Sequence, residues 1–144
     1  MNQQEQIVDL FHKIIAKFQQ REKKPHDFGT GDILYRFELH TIDAIYKNPN
    51  ITVSELSENL FVTKGAISQI ITKLIKKGFI TRVKDPISNK KIFLTLTQKG
   101  TFIAEKHIEF HKKMMLEMAK SFGKEQKENT TLLLNFLKSL DSKF

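Results

Sequence analysis

Apolar residues recur every three to four positions near the start of the chain, which is the spacing of one face of an α-helix. They are Ile7, Leu10, Phe11, Ile14, Ile15 and Phe18. The pattern predicts an amphipathic helix from about Gln4 to Lys23, and Pro25 ends it because proline lacks an amide hydrogen. A second helix is predicted from a cap at Asp32 to about Tyr46, before a stop at Asn48-Pro49-Asn50.

The middle of the chain predicts two short helices joined by a tight turn. Thr52 and Glu55 have the spacing of a capping box, in which a hydroxyl and a carboxylate satisfy amides at a helix start. Thr63 is the cap candidate of the next helix, which runs to Lys77 and ends at Gly78. Its apolar side consists of Ile67, Ile70, Ile71, Leu74 and Ile75. This succession is the helix-turn-helix pattern.

Two β-rich runs follow, Phe79–Val83 and Ile92–Leu96, and the polar segment between them predicts a hairpin with a basic tip. Thr97 can cap a long helix that Gly123 breaks. A last amphipathic helix carries Leu133, Phe136, Leu137 and Leu140. The predicted fold class is mainly α with a small β-hairpin, arranged as a winged helix-turn-helix domain with terminal helices.

The charge balance favours a polyanionic partner. The chain has 24 Lys and Arg against 16 Asp and Glu, a formal net charge of +8. Nucleic acid is the first candidate partner and an acidic membrane surface the second. A soluble basic protein without a polyanionic partner is the alternative reading of the charge.

Several classes of function are disfavoured by what the sequence lacks. It has no cysteine, so disulfides and thiol switches are excluded. Its start does not have the pattern of a signal peptide, and no apolar run approaches the ~20 residues of a membrane span. We therefore expect a cytoplasmic protein that does not act on membranes. We also expect no enzyme, because there is no nucleophile elbow, phosphate-binding glycine loop or carboxylate pair.

The predicted helix from Thr63 to Lys77 has a polar side suited to the major groove of double-stranded DNA. Ser68 and Gln69 are the candidates for contacts to base edges, while the lysines suit phosphates. The basic hairpin beside this helix can reach a neighbouring minor groove. The predicted DNA-contacting set is Thr63, Lys64, Gly65, Ser68, Gln69, Thr72, Lys73, Arg82, Lys90 and Lys91. An ordinary solvated helix face, or a non-specific architectural binder of nucleic acid, is the alternative.

The stretch Ile51–Thr97 resembles the DNA-binding domain of the MarR family of bacterial transcription regulators, and the likeness extends over nearly the whole chain. The resemblance implies a sequence-specific regulator that binds a pseudo-palindromic operator as a homodimer. One departure lies in the hairpin, where the family usually has Asp-Arg-Arg. Those positions are Ser88, Asn89 and Lys90 here, so the planar fork of arginine is replaced by the charge of lysine.

The resemblance also implies how the chain is organised. The family dimerises through its terminal helices, and both ends of this chain carry apolar stripes. Residues 32–97 are therefore expected to form the DNA-binding domain, and residues 1–31 and 98–144 a helical dimerisation region. The stripes could instead be intramolecular core, but a chain of this size cannot easily cover both long helices.

Two histidines suggest a metal ion as effector. His107 and His111 stand four apart, so both rings lie on one helix face, as a single ion requires. The zinc-responsive branch of the MarR family, which this chain partly resembles, implies a site of Glu22, His40, His107 and His111 for Zn(II) or another divalent metal. The second site of that branch is expected to be absent, since the chain has no cysteine and has Leu39 and Lys106 beside the histidines.

Other assignments of the effector remain open. The histidines could simply be surface or hydrogen-bonded side chains. MarR proteins commonly respond to small, often phenolic ligands, and Tyr35, Arg36 and Tyr46 are candidates to line such a pocket.

Overall fold

The structure, a computed structural model, describes residues 2–88 and 90–143, except for the side chain of Glu22. Its described elements are α1 (Gln3–Glu22), α2 (Arg36–Lys47), α3 (Val53–Asn59), α4 (Lys64–Lys76), β1 (Ile80–Lys84), β2 (Ile92–Leu96), α5 (Gln98–Lys120), a 3-10 turn (Gly123–Glu125) and α6 (Gln126–Asp141). The mainly helical chain with one antiparallel hairpin confirms the predicted fold class.

Local hydrogen bonds start the central helices where the sequence places their caps. The Thr52 amide donates to Glu55 Oε2 at 2.8 Å, while Thr52 Oγ1 accepts from the Glu55 amide at 3.3 Å, which completes the capping box of α3. Thr63 Oγ1 accepts from the Ala66 amide at 3.2 Å at the start of α4. Gly78 follows α4 with a φ of 77°, a conformation that glycine adopts without steric cost.

The second helix begins later than predicted, at Arg36 rather than after Asp32. The segment before it is extended, because the backbone of Leu34 pairs with that of His26. At the true start of α2, the Tyr35 amide donates to Glu38 Oε2 at 2.9 Å. The Asp32 carboxylate instead forms an ion pair with Lys99, so it is not a helix cap.

The hairpin and the helix-turn-helix share one core. Strands β1 and β2 pair antiparallel with Ile80 opposite Leu96, and an isolated bridge joins Leu94 to Ile51 just before α3. The core is formed by Leu34, Leu39, Ile42, Ile45, Ile51, Leu56, Ile67, Ile71, Leu74, Phe79, Ile80, Leu94, Ile103 and Ala104. Burial of this apolar surface is the main force that holds α4 and the hairpin to the body.

By its internal contacts the chain divides into two units, residues 1–106 and 107–144, and the division falls inside α5. The first unit holds α1 to α4, the hairpin and the start of α5. The second unit holds the remainder of α5, the 3-10 turn and α6, with Gly123 at a φ of 66° where α5 has ended. None of the described helices combines the length and the apolar character that crossing a membrane demands.

Candidate nucleic-acid interface

Helix α4 has one side in the core and one side in solvent. Ile67, Ile71 and Leu74 are fully buried, as their spacing predicts. On the other side, the exposed residues are Lys64, Gly65, Ala66, Gln69, Thr72, Lys73 and Lys76, while Ser68 is half-buried. The predicted polar face of α4 is therefore exposed to solvent, while its apolar side packs in the core.

The polar atoms on this face differ in how far they are already used. Thr63 Oγ1 accepts from the Ala66 amide, and Thr72 Oγ1 donates to the Ser68 carbonyl at 2.9 Å. Among the described residues, the Gln69 carboxamide has no hydrogen-bond partner. A free carboxamide can donate and accept at a base edge, so Gln69 is the best suited of these residues for reading sequence.

The start of α4 leaves room for a close approach. A Cβ atom placed on Gly65 would meet no atom within 4 Å, so this turn of the helix is open on its outer side. Backbone amides at a helix start attract phosphate groups because of the positive end of the helix dipole. Gly65 therefore fits a close contact with a DNA strand.

The hairpin adds an exposed basic edge. Arg82, Lys84, Lys90 and Lys91 are all exposed, whereas Asn89, one of the positions compared with the family's Asp-Arg-Arg run, lies outside the described residues. The pKa of the Glu55 carboxyl is held below its usual value by hydrogen bonds from the Thr52 amide and hydroxyl, with a smaller contribution from the charge of Lys91. The Lys91 charge thus acts on a carboxylate in the first turn of α3 without forming an ion pair with it among the described residues.

Two other lysines next to α4 are not available to DNA in the same way. Lys77 Nζ lies 2.7 Å from Glu38 Oε1 and also donates to the Ile33 carbonyl at 2.9 Å. Lys99 Nζ lies 2.6 Å from Asp32 Oδ2 and 4.5 Å from the centre of the Phe79 ring, and it donates to the Lys77 carbonyl at 3.0 Å. We call these four charged groups, Asp32, Glu38, Lys77 and Lys99, the lysine joint.

The lysines of the lysine joint differ from the exposed cations of α4 and the hairpin, because they form ion pairs within the chain. Its lysines fix the end of α4 to the loop before α2, to α2 itself and to the start of α5. Within residues 2–88 and 90–143, no ion pair involves Lys64, Lys73, Arg82, Lys90 or Lys91. Within the part of the chain that the structure describes, the outer side of α4 and the hairpin therefore carry positive charge that no ion pair neutralises.

Two exposed apolar side chains were missed by the sequence interpretation. Phe61, in the turn between α3 and α4, is 96% exposed and has a φ of 53°, which is rare for a bulky residue. Ile87, at the tip of the hairpin, is 95% exposed. An isoleucine inside an otherwise polar turn was the available signal for the second; the turn position of Phe61, where glycine or asparagine is usual, was the signal for the first.

Comparison with known proteins agrees with this geometry. The model of the MarR family matches residues 34–92, which run from just before α2 to the start of β2. The HTH-type transcriptional regulator PchR of Bacillus subtilis is 30% identical over 104 residues, 72% of this chain. Over this range the chain is similar to the MarR family.

Two further relatives show how far the likeness extends. YvnA of Bacillus subtilis, an uncharacterized HTH-type transcriptional regulator, is 36% identical over 76 residues, 53% of this chain. FabT of Streptococcus pneumoniae, solved in complex with DNA, is 29% identical with a TM-score of 0.69, and the match covers 95% of this chain and 96% of FabT. The chain spans 48% of the length of YvnA and 62% of PchR. No enzyme is among these named relatives, in agreement with the expectation from the sequence.

The residues predicted to hold a metal are described only in part. In the second unit, the His107 and His111 rings lie with their centres 4.3 Å apart, and His107 is buried. In the first unit, His40 is half-buried on α2, and the Glu22 side chain lies outside the described residues. The histidine pair on one face of α5 is as predicted, while the four-residue metal site stays a prediction.

An open cleft in the first unit contains part of the predicted small-ligand set. It has a volume of about 570 Å³ and lies between the end of α1 and the start of α2. Its lining is Ala16, Gln19, Gln20, Lys23, Tyr35, Arg36 and Phe37. Tyr35 and Arg36 thus share a cleft, as the sequence interpretation considered, whereas Tyr46 does not line it.

Proposed function

We propose that this chain is a sequence-specific DNA-binding transcription regulator that acts as a homodimer on a pseudo-palindromic operator. Each protomer places α4, the recognition helix, in a major groove and the hairpin, the wing, near the adjacent minor groove. The observation that carries the proposal is the outer side of α4. There, within the described residues, the Gln69 carboxamide has no hydrogen-bond partner and the neighbouring Lys64 and Lys73 have no ion pair. The match of residues 34–92 to the MarR family and the likeness to FabT, a protein solved on DNA, support it.

The side-chain chemistry of this surface indicates which residues contact bases and which contact phosphates. Ser68 and Gln69 contact base edges, since amide and hydroxyl groups can both donate and accept there. Lys64, Lys73, Arg82, Lys90 and Lys91 neutralise phosphates, which fixes the register of the protein without reading sequence. Thr63, Gly65 and Thr72 complete the contact by allowing the backbone of the recognition helix to come close.

Dimerisation is supported by apolar side chains that each unit leaves exposed. In the first unit, α1 exposes Ile7, Val8, Leu10, Phe11, Ile14, Ile15 and Phe18; in the second, α6 exposes Leu132, Leu133, Leu134, Phe136 and Leu137. Contiguous apolar surface of this kind usually marks an interface rather than solvent-facing helix. A second copy of the chain is the occupant we propose, because a two-fold dimer would match the symmetry of a pseudo-palindrome.

The experiment that tests the proposal is selection of bound duplexes from a random pool, followed by affinity measurements on the winning duplex and on an unrelated one. A regulator should prefer the selected sequence by ~10³ or more at physiological salt. A non-specific architectural binder shares the charge but not this preference. Equal affinity for all duplexes would reject sequence-specific regulation.

For control of the regulator, we propose a divalent metal ion bound by Glu22, His40, His107 and His111. Three imidazoles and one carboxylate are a donor set that Zn(II) accepts, and the close rings of His107 and His111 fit two ligands of one ion. A bound ion can regulate only if it prefers one spacing of the two recognition helices over another. A small ligand in the cleft beside Tyr35 and Arg36 is the other route to the same control.

Titration calorimetry with Zn(II) separates these routes. Wild type should bind the ion, and His111→Ala and His107→Ala should weaken binding, whereas His12→Ala, on the exposed side of α1, should not. Identical titrations for all four proteins would reject the proposed metal site.

A further inference from the structure

The tip of the wing displays an apolar side chain beside several exposed lysines. Ile87 is 95% exposed, more than any other isoleucine, leucine or valine of the described residues. A branched apolar side chain left in water at the end of a protruding turn gains from any contact that covers it.

The turn that carries Ile87 is held by hydrogen bonds. The Ile87 amide donates to Asp85 Oδ1 at 2.8 Å, and the Asp85 amide donates to the Lys91 carbonyl at 3.0 Å. The Lys91 amide closes the loop by donating to the Ser88 carbonyl at 2.9 Å. Pro86 further restricts the backbone just before Ile87. A side chain presented by a fixed turn loses little conformational freedom when it binds.

Cations surround this apolar tip. Arg82 and Lys84 lie on β1, Lys90 and Lys91 lie in the turn before β2, and all four are exposed. No ion pair within the described residues neutralises them. An apolar side chain beside several positive charges is complementary to a minor groove, where phosphates line the rims and deoxyribose rings form apolar walls.

An acidic membrane surface would also attract positive charge, but the apolar part of the wing is too small for it. Binding in a bilayer interface needs an apolar face that scales with the area buried. Val83 and Ile92, the other exposed apolar residues of the hairpin, lie on the strands and are only 46% and 43% exposed. A single projecting side chain suits a groove better than a lipid surface.

We propose that Ile87 enters the minor groove beside each half-site and makes the base-pair steps there part of what this chain recognises. Apolar side chains in the minor groove partly unstack a base step, and the cost is lowest at flexible pyrimidine–purine steps. Ile87 thereby selects flanking sequence by deformability, while the recognition helix reads the half-site itself. This inference rests on the proposed function, since it deepens the contact of the same wing.

The test uses the duplex selected by wild type, in two forms that differ only in the flanking steps. One form has TA steps at the predicted wing positions and the other has stiffer GC-rich steps. Wild type should prefer the TA form by about tenfold. Ile87→Ser should lose that preference, Ile87→Leu should keep most of it, and Val83→Ser should behave as wild type.

Two further readouts separate insertion from a general loss of affinity. A 2-aminopurine base at the flanking step should brighten when wild type binds, because it is unstacked, and should stay dim with Ile87→Ser. The slope of affinity against salt should be the same for both proteins, since no phosphate contact is removed.

The outcomes distinguish this inference from the proposed function. If wild type selects a half-site but Ile87→Ser keeps the flank preference and the fluorescence change, the inference is wrong and the regulator proposal stands. If Ile87→Ser loses binding to anionic vesicles and not to duplexes, the wing contacts lipid and the inference is overturned. If wild type has no sequence preference at all, both proposals fail together.

Discussion

The ammonium group of Lys77, the residue that follows α4, lies 2.7 Å from the carboxylate of Glu38 on α2. The Glu38 side chain is only 8% exposed, so its charge depends on this partner and on the Tyr35 amide. The pair fixes the C-terminal end of the recognition helix to the helix behind it. Its role is structural, and Lys77 is not among the residues predicted to contact DNA.

Replacing Lys77 by Met should therefore destabilise the fold. The Glu38 carboxylate would keep its burial and lose its cation, which costs about 2 kcal/mol of unfolding free energy. Urea denaturation measures the change. Lys76→Met is the matched control, because Lys76 is exposed and forms no ion pair with any residue that the structure describes. It should change stability by less than about 0.5 kcal/mol. Equal losses for the two variants would show that the ion pair does not anchor the recognition helix.

The second pair of the lysine joint should appear in the acid range. A hydrogen bond and the charge of Lys99 lower the pKa of the Asp32 carboxyl. Stability from a carboxyl with a lowered pKa is fully present above the ordinary aspartate pKa of about 3.9 and is lost as the pH falls through the lowered value. In Lys99→Met, the Asp32 pKa should rise towards normal, and the acid-dependent loss of stability should shrink.

Carboxyl NMR titration of Asp32 in wild type and in Lys99→Met measures this directly. Lys113→Met removes a solvent-exposed lysine from its ion pair with Glu109 and serves as the control. An Asp32 titration that is unchanged by Lys99→Met would contradict the assigned cause.

The strained turn before α4 predicts a stabilising substitution. Phe61 has a φ of 53° and buries almost nothing, so Phe61→Gly removes a steric penalty without losing packing. We expect a gain of about 1 kcal/mol in unfolding free energy. Phe61→Ala keeps the left-handed strain and should give little gain. Thermal unfolding of the three proteins decides, and a gain from alanine equal to that from glycine would dismiss strain as the reason.

Sequence readout and charge should separate on α4. Gln69→Ala should relax the base preference at its contact and cost about 1–3 kcal/mol on the selected duplex. Lys73→Ala should weaken all duplexes alike and reduce the salt slope by about one. Competition binding against single-base variants of the selected duplex measures both. If Gln69→Ala leaves every base preference intact, the readout assignment is wrong.

The exposed stripe of α6 predicts a shift in oligomeric state. Leu137→Glu places a charge in the proposed interface, where burying it without a partner is costly. Sedimentation should then detect monomer at concentrations where wild type is dimeric, and operator affinity should fall with it. Asn135→Glu adds the same charge at an exposed polar position and should remain dimeric. A monomeric wild type would refute the dimer itself.

The sequence predicts those features that depend on neighbours within one or two turns. Thr52, Thr63 and Gly78 mark helix ends through contacts with adjacent residues, and all three were predicted. The buried side of α4 was predicted too, because helical periodicity alone separates it from the polar side. The predicted start of α2 at Asp32 was wrong, because Asp32 forms an ion pair with Lys99, which is distant in the sequence.

The same reason limits the prediction of the candidate site. Which residues are exposed on α4 follows from its period, but which cations have internal partners depends on tertiary contacts that no local pattern contains. Lys77 and Lys73 belong to the same predicted helix, but among the described residues only Lys77 forms an ion pair. The exposure of Ile87 could not be predicted from the sequence, because an apolar residue in a turn is as often packed against the body as exposed.

The lysine joint also affects how strongly the DNA affinity of the protein should depend on ionic strength. A lysine already held by a carboxylate of its own chain has few condensed ions to displace, so it adds little to the entropy that drives association with a polyelectrolyte. The formal net charge of +8 is therefore a poor guide to that response. The number of counterions released on binding depends instead on how many cations form no ion pair within the protein.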